Sequence, residues 1–108
     1  MQRLPAGTSI IHASGSLDGE TRAVLCRAVA DELTQAPAQL VLELSAATSI
    51  DDTAVEALVG ATALAAESDT SICLVTSPTG PVARALAAAD LTERFEIYAT
   101  VGEAQRHG

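Results

Sequence analysis

Two acids and a hydroxyl stand together at Asp51, Asp52 and Thr53, between a short apolar segment and a longer segment with helical periodicity. Adjacent carboxylates can serve acid–base catalysis or bind a divalent ion. A hydroxyl in the first turn of a helix can carry a phosphate, because unpaired backbone N–H groups point toward it there. The same residue types also cap helices for purely structural reasons.

The acid–base and metal interpretations are the weakest of these. Neighbouring residues at a helix start do not converge on one point, and no third ligand lies within sequence reach. A structural interpretation accounts for the pattern better: Thr53 and Glu56 match the S/T-x-x-E capping box. Asp51 or Asp52 would also complement the positive end of the helix dipole. We therefore expect no metal site here.

Other enzymatic motifs are missing from the chain. Neither histidine has a serine or cysteine beside it in a recognisable nucleophile context. The chain has no lysine, which rules out a G-x-x-x-x-G-K phosphate loop, and the glycines of GSLDG are too few for a dinucleotide fingerprint. A nucleotide site is thus unsupported, and the sequence predicts a protein that is not an enzyme and has no cofactor.

Composition and charge restrict the class of protein and of partner. With 108 residues, 48% of them hydrophobic, the chain fits a single domain over residues 1–108. Its net charge is −8 and its six arginines are scattered, which argues against a nucleic-acid surface and against an anionic membrane. The longest apolar runs are too short for membrane insertion or a signal peptide. We expect a cytoplasmic protein whose partner is another protein.

The side chains available for the core are nearly all aliphatic. Phe95 and Tyr98 are the only aromatic residues of the chain. Cys26 and Cys73 both lie in apolar-periodic segments, far from any metal-ligand spacing, so we expect two reduced and buried thiols.

Period and turn residues predict alternating strands and helices. The predicted elements are a strand at 8–13, a helix at 19–34, a strand at 40–44, a helix from 52 to about 68, a strand at 71–76, a helix from 81, a strand at 94–99 and a short helix capped by Thr100 and Glu103. In the third helix Val82, Leu86 and Ala89 are expected to face inward. The alternation predicts an α/β fold with a mixed, mainly parallel sheet of four to five strands and about four helices, with 40–44 and 72–75 adjacent and central.

Several stretches together resemble the STAS domain of bacterial anti-sigma factor antagonists. They are LVLELSAATSIDDTAVEALVGATALA, the following SICLVTSPTGPVARALAAADLTERFEIYATVGEA, and GSLD before the first helix. In that family an apolar residue, an aspartate, two hydroxyl residues and a glycine open the second helix. The likeness covers nearly the whole chain, and the order and spacing of the elements are more specific than any one of them.

The resemblance transfers residue by residue. Ile50 and Asp51 match the apolar residue and the aspartate, Asp52 stands at the first hydroxyl position, Thr53 at the second, Ala54 replaces the glycine and Val55 the leucine. Family members are phosphorylated in this hydroxyl pair by a partner anti-sigma factor that is itself a serine kinase. The unphosphorylated form binds that partner and frees the sigma factor.

The resemblance therefore implies a regulatory protein that binds an anti-sigma factor kinase. The implied partner-binding residues are Asp51, Asp52, Thr53, Ala54, Val55 and Glu56. Thr53 is the candidate phosphorylation site, and Ser49 is a weaker one. Asp52 cannot be phosphorylated, and its permanent, smaller charge partly imitates the modified state. Either Thr53 is regulated beside a fixed acid, or the switch has been lost.

Two other functions occur on STAS domains and stay open at this point. One is an accessory subunit of a transporter, and the other is a sensor module that binds a small ligand or nucleotide. The sequence names neither the sigma factor nor the signal, and it does not predict an oligomeric state.

Overall fold

Strands and helices alternate along the chain in the computed structural model, which describes residues 2–4 and 7–107. The strands are β1 (Gln2–Leu4), β2 (Thr8–Leu17), β3 (Gln39–Ile50), β4 (Ser71–Val75) and β5 (Glu96–Tyr98). The helices are α1 (Gly19–Leu33), α2 (Asp52–Glu67), α3 (Pro81–Ala88) and α4 (Val101–His107), with a 3-10 turn at Thr92–Arg94. The predicted α/β class is confirmed.

The five strands form one sheet in the order β1-β2-β3-β4-β5. Strand β1 is antiparallel to β2, and all other neighbours are parallel. Leu40 pairs with Ile72 and Leu42 with Leu74, which confirms that these two apolar segments are adjacent and central. At the far end of β2 and β3, Leu17 pairs with Ile50, so the segments that follow these two strands emerge side by side.

Each face of the sheet has its own layer of buried side chains. The larger cluster lies under α1, α2 and α3 and includes Ile11, Leu40, Leu42, Leu44, Leu58, Leu74 and Leu86. The smaller cluster lies on the opposite face and includes Ile10, Val41, Cys73, Val75 and, from α4, Ala104. Successive residues of β3 and β4 alternate between the two clusters, as side chains of a strand must. Both faces of the central strands are covered, which explains their continuous apolar runs.

Three strands differ most from the sequence prediction. Strand β2 runs to Leu17, four residues beyond its predicted end at Ala13. The antiparallel edge strand β1 was not predicted, because three residues are too short to show a period. Strand β3 continues to Ile50, six residues beyond the predicted end at Leu44. Its small and polar residues still pair with β2 past register shifts next to Ser14 and Ser16, so pairing with a neighbouring strand overrides their weak strand preference.

Two predictions of burial were wrong. Helix α3 ends at Ala88, so Ala89 is its C-cap and is exposed instead of facing the core. Cys26 is also exposed, since it follows the buried Leu25 by one position and therefore points about 100° away around α1. Cys73 is buried as predicted, and burial, with a smaller contribution from Glu96, raises the pKa of its thiol to about 11.

Candidate functional site

The junction between β3 and α2 holds the residues that the sequence singles out. Asp51 is the N-cap of α2 and keeps an extended backbone, with φ −105° and ψ 177°. Its N–H donates to the carbonyl of Leu17 at 2.9 Å, which ties the junction to the end of β2. Its carbonyl accepts the N–H of Val55 at 3.0 Å and so begins the helix. Both ends of this residue are thus fixed by the sheet and the helix it connects.

The side chain of Asp51 organises the first turn of α2. Its Oδ1 accepts the hydroxyl of Thr53 at 2.7 Å and the N–H of Ala54 at 3.0 Å. These two donors, the hydroxyl first, hold the pKa of Asp51 below its ordinary value of 3.8, because they favour the charged carboxylate. The carboxylate is therefore ionised at neutral pH.

The predicted capping box of Thr53 and Glu56 is wrong in its position. Because Asp51 is the N-cap, Thr53 is the second residue of the helix and its hydroxyl is a donor to the cap. An extended residue with an acceptor side chain is what a helix start requires, and Asp51 supplies both. Two adjacent acids before a hydroxyl leave the cap ambiguous in the sequence.

The predicted site residues divide into an exposed and a buried group. Asp51, Asp52, Thr53 and Glu56 are exposed. Ala54 and Val55 are only 1% and 8% exposed and pack into the larger core cluster, so they support the surface from beneath. Ser49 is exposed near the end of β3, where it pairs with Ser16 of β2.

The start of α1 lies next to the start of α2. Asp18 caps α1 and accepts the N–H groups of Glu20 at 3.0 Å and Thr21 at 3.2 Å. A Cβ atom on Gly19 would lie 3.9 Å from the Oγ1 of Thr53. Sequence reasoning did not include this neighbour in the site, although the parallel pairing of two successive strands brings the helices that follow them together.

The described residues contain no group of three or more histidine, cysteine, aspartate or glutamate side chains placed to hold a metal ion. The junction itself offers an exposed hydroxyl held by a carboxylate, beside two helix N-termini. Among residues 2–4 and 7–107, moreover, no helix has the length and apolarity needed to span a membrane.

Comparison with known families decides the identity of this fold. The family model of the STAS domain matches residues 3–104. The chain belongs to the STAS domain family. The candidate site is therefore the β3–α2 junction of a STAS domain, with Asp51 as the cap and Thr53 as the exposed hydroxyl.

Three solved structures are similar to this chain over almost its whole length. A Thermotoga maritima protein, provisionally assigned as an anti-sigma factor antagonist, is 26% identical with a TM-score of 0.86, covering 98% of this chain and 90% of that one. An anti-sigma factor antagonist from Mycobacterium paratuberculosis is 24% identical with a TM-score of 0.83, covering 94% and 85%. A sulfate transporter family protein from Wolinella succinogenes is 17% identical with a TM-score of 0.78, covering 98% and 88%.

At 24% and 17% identity, the likenesses to the Mycobacterium and Wolinella proteins show the fold alone. A search of curated proteins found no significant match.

Proposed function

We propose that this STAS domain is an anti-sigma factor antagonist that binds an anti-sigma factor serine kinase and is switched by phosphorylation of Thr53. It acts by binding and has no enzymatic activity of its own. The observation that carries the proposal is the exposed hydroxyl of Thr53 in the first turn of α2 of a STAS domain. The likeness to the Thermotoga protein, at 26% identity and over nearly its full length, supports this function.

Phosphorylation at this position changes both the charge and the hydrogen bonding of the surface. In the unmodified protein the Thr53 hydroxyl donates to Asp51 at 2.7 Å. A phosphoryl group replaces that proton, so the hydrogen bond is lost and a charge of about −1.5 to −2 stands beside an ionised carboxylate. Backbone N–H groups at the helix start can donate hydrogen bonds to the phosphate oxygens, while repulsion from Asp51 turns the phosphate toward solvent. A partner that docks against the unmodified junction meets a different surface afterwards.

Asp52 places a permanent charge at the same helix start. It is exposed and precedes Thr53 directly, at the position where the family usually has a hydroxyl residue. Its carboxylate imposes part of the repulsion that a phosphate would impose fully, so the unmodified protein binds its kinase more weakly than a serine variant would.

The experiment that tests this proposal compares wild type with Asp52→Ser as baits in a pull-down from native lysate, with retained proteins identified by mass spectrometry. We expect both baits to retain a serine kinase, and Asp52→Ser to bind the purified kinase more tightly by about five- to a hundredfold in calorimetry. Ser49→Ala is the matched control, since it changes a nearby exposed residue without altering charge. Retention of no kinase by either bait, or equal affinity of wild type and Asp52→Ser, would contradict the proposal.

A further inference from the structure

Helices α1 and α2 pack side by side and leave an open groove along their outer surface. The part nearest the site has a volume of about 250 Å³ and runs between Cys26 of α1 and Gly60 of α2. The groove continues past Leu64 into a second part of about 300 Å³, between Ala30 and Glu67. Leu64 lines both parts and lies where they meet. Along α1 it spans residues 22–34, a rise of about 18 Å or roughly three helical turns.

The α2 side of this groove is apolar where a surface helix is ordinarily polar. The sequence of α2 has alanine, valine or leucine around most of its circumference, which is typical of a helix covered on all sides. Yet Leu64 is 42% exposed, and only Val24 is a more exposed large hydrophobic residue among those described. Helix α2 therefore carries apolar surface that the described part of this chain does not cover.

Gly60 has no structural explanation within the described residues. It lies in the middle of α2, where glycine is unfavourable for the helix. A Cβ atom at this position would meet nothing within 4 Å among the described residues, and the backbone has no positive φ. The fold therefore does not require a glycine here. A missing side chain on the wall of a groove instead allows another backbone to approach closely.

The charges along the groove determine what can lie in it. Asp52, Glu56, Gly60 and Leu64 follow one another at i+4 spacing and form one row along α2. Glu67 follows at the far end of that row and lines the groove there, whereas Arg22 is the cation that lines its near end. The row along α2 thus places three carboxylates, Asp52, Glu56 and Glu67, around an apolar centre, and Arg22 of α1 is the one cation that lines the two described parts, so the rim has an excess of negative charge. Its electrostatic complement is therefore a cationic partner.

We infer that this groove binds an amphipathic helix of a partner protein, with apolar side chains against Leu64 and Gly60 and with arginine or lysine facing the carboxylates. A second copy of this chain is a poor occupant, because it has a net charge of −8 and no lysine. The inference rests on the proposed function only in taking the partner to be a protein. It extends the contact from the Thr53 junction along α2 as a helix-in-groove interaction.

The test uses two synthetic helical peptides of about 18 residues, enough to fill the groove. Both carry leucine at i, i+3, i+4 and i+7, and the remaining positions are arginine-rich in one and glutamate-rich in the other. Their binding to the full chain is measured by fluorescence anisotropy and mapped by amide chemical shifts. We expect the arginine peptide to bind and the glutamate peptide not to. The shifts should be confined to the groove sides of α1 and α2.

Three variants separate the groove from charge and from folding. In Gly60→Gln the new side chain enters the open groove without a clash, and glutamine favours the helix more than glycine does. A loss of binding in this variant therefore cannot be ascribed to unfolding. We expect it to weaken binding of the arginine peptide by at least about tenfold, and Leu64→Gln to do the same. Val24→Gln is the matched control: this residue is 70% exposed but lines the cleft between α1 and β2, so affinity should stay within about twofold.

Three outcomes would overturn the inference. The first is an arginine peptide that fails to bind wild type, and the second is equal binding to wild type and Gly60→Gln. The third is a wild-type dimer in analytical ultracentrifugation that Gly60→Gln makes monomeric, because a second copy would then occupy the groove. The kinase is not used in any of these measurements. A negative result for the groove is therefore distinguishable from a negative result for the proposed function.

Discussion

Replacing Gly60 by alanine should make the protein more stable. In the middle of a helix, glycine is less favourable than alanine by about 0.5 to 1 kcal/mol, because its backbone loses more freedom on folding. The added methyl group enters open space, so no clash reduces this gain. For a domain of this size the expected rise in Tm is roughly 2 to 6 °C. The measurement is thermal and urea unfolding followed by circular dichroism.

Gly15 provides the matched control for this substitution. A Cβ there would also meet nothing within 4 Å among the described residues, but Gly15 has φ +75°. Alanine is strained in that conformation, so Gly15→Ala should lower Tm although the substitution is chemically the same. A fall in stability for Gly60→Ala would show that this glycine is needed by the fold itself. That result would refute the reasoning that connects it with a partner.

Three further predictions concern the core, the cap and the thiols. Leu58→Ala should lower the free energy of unfolding in urea by about 2 to 5 kcal/mol, because its side chain is fully buried against both helix and sheet. Asp51 has a lowered pKa, so its charge stabilises the fold above about pH 4 and this stabilisation is lost as pH falls through the folded-state pKa. The urea midpoints of wild type and Asp51→Asn should therefore differ at about pH 7, and the difference should shrink as the pH is lowered below about 4. A divergence on acidification would contradict this. At about pH 8, an excess of a maleimide should label Cys26 rapidly and Cys73 only after unfolding, because Cys26 is exposed and burial raises the pKa of the Cys73 thiol to about 11. Peptide mass spectrometry identifies the labelled residue.

Elements with a strong period could be predicted from the sequence. The apolar runs of β3 and β4 and the helical spacing of Leu25 and Val29 in α1 are set by burial against the sheet, and burial is what periodicity reports. The edge strand β1 and the second half of β3 could not be predicted. Their conformation depends on pairing with β2, a contact between distant parts of the chain that leaves no local pattern.

The helix start at the candidate site was predicted correctly, but its hydrogen bonding was not. The sequence places a helix start at Asp51, Asp52 and Thr53, and the structure has it there. Which of the three caps the helix depends on the backbone of one residue, which is fixed by the hydrogen bond from Asp51 to Leu17. The proximity of Gly19 to Thr53 likewise depends on the pairing of β2 with β3. Both features depend on contacts between distant parts of the chain, which a local sequence motif does not encode.

The most direct test of the proposed switch is phosphate transfer to this protein. Wild type, Thr53→Ala and Ser49→Ala are each incubated with ATP and the serine kinase that wild type retains, and intact-mass spectrometry then counts the phosphoryl groups. We expect one phosphoryl group on wild type and on Ser49→Ala and none on Thr53→Ala, with phosphorylated wild type released from the kinase. Phosphorylation of Thr53→Ala to the same extent as wild type would contradict the proposed switch.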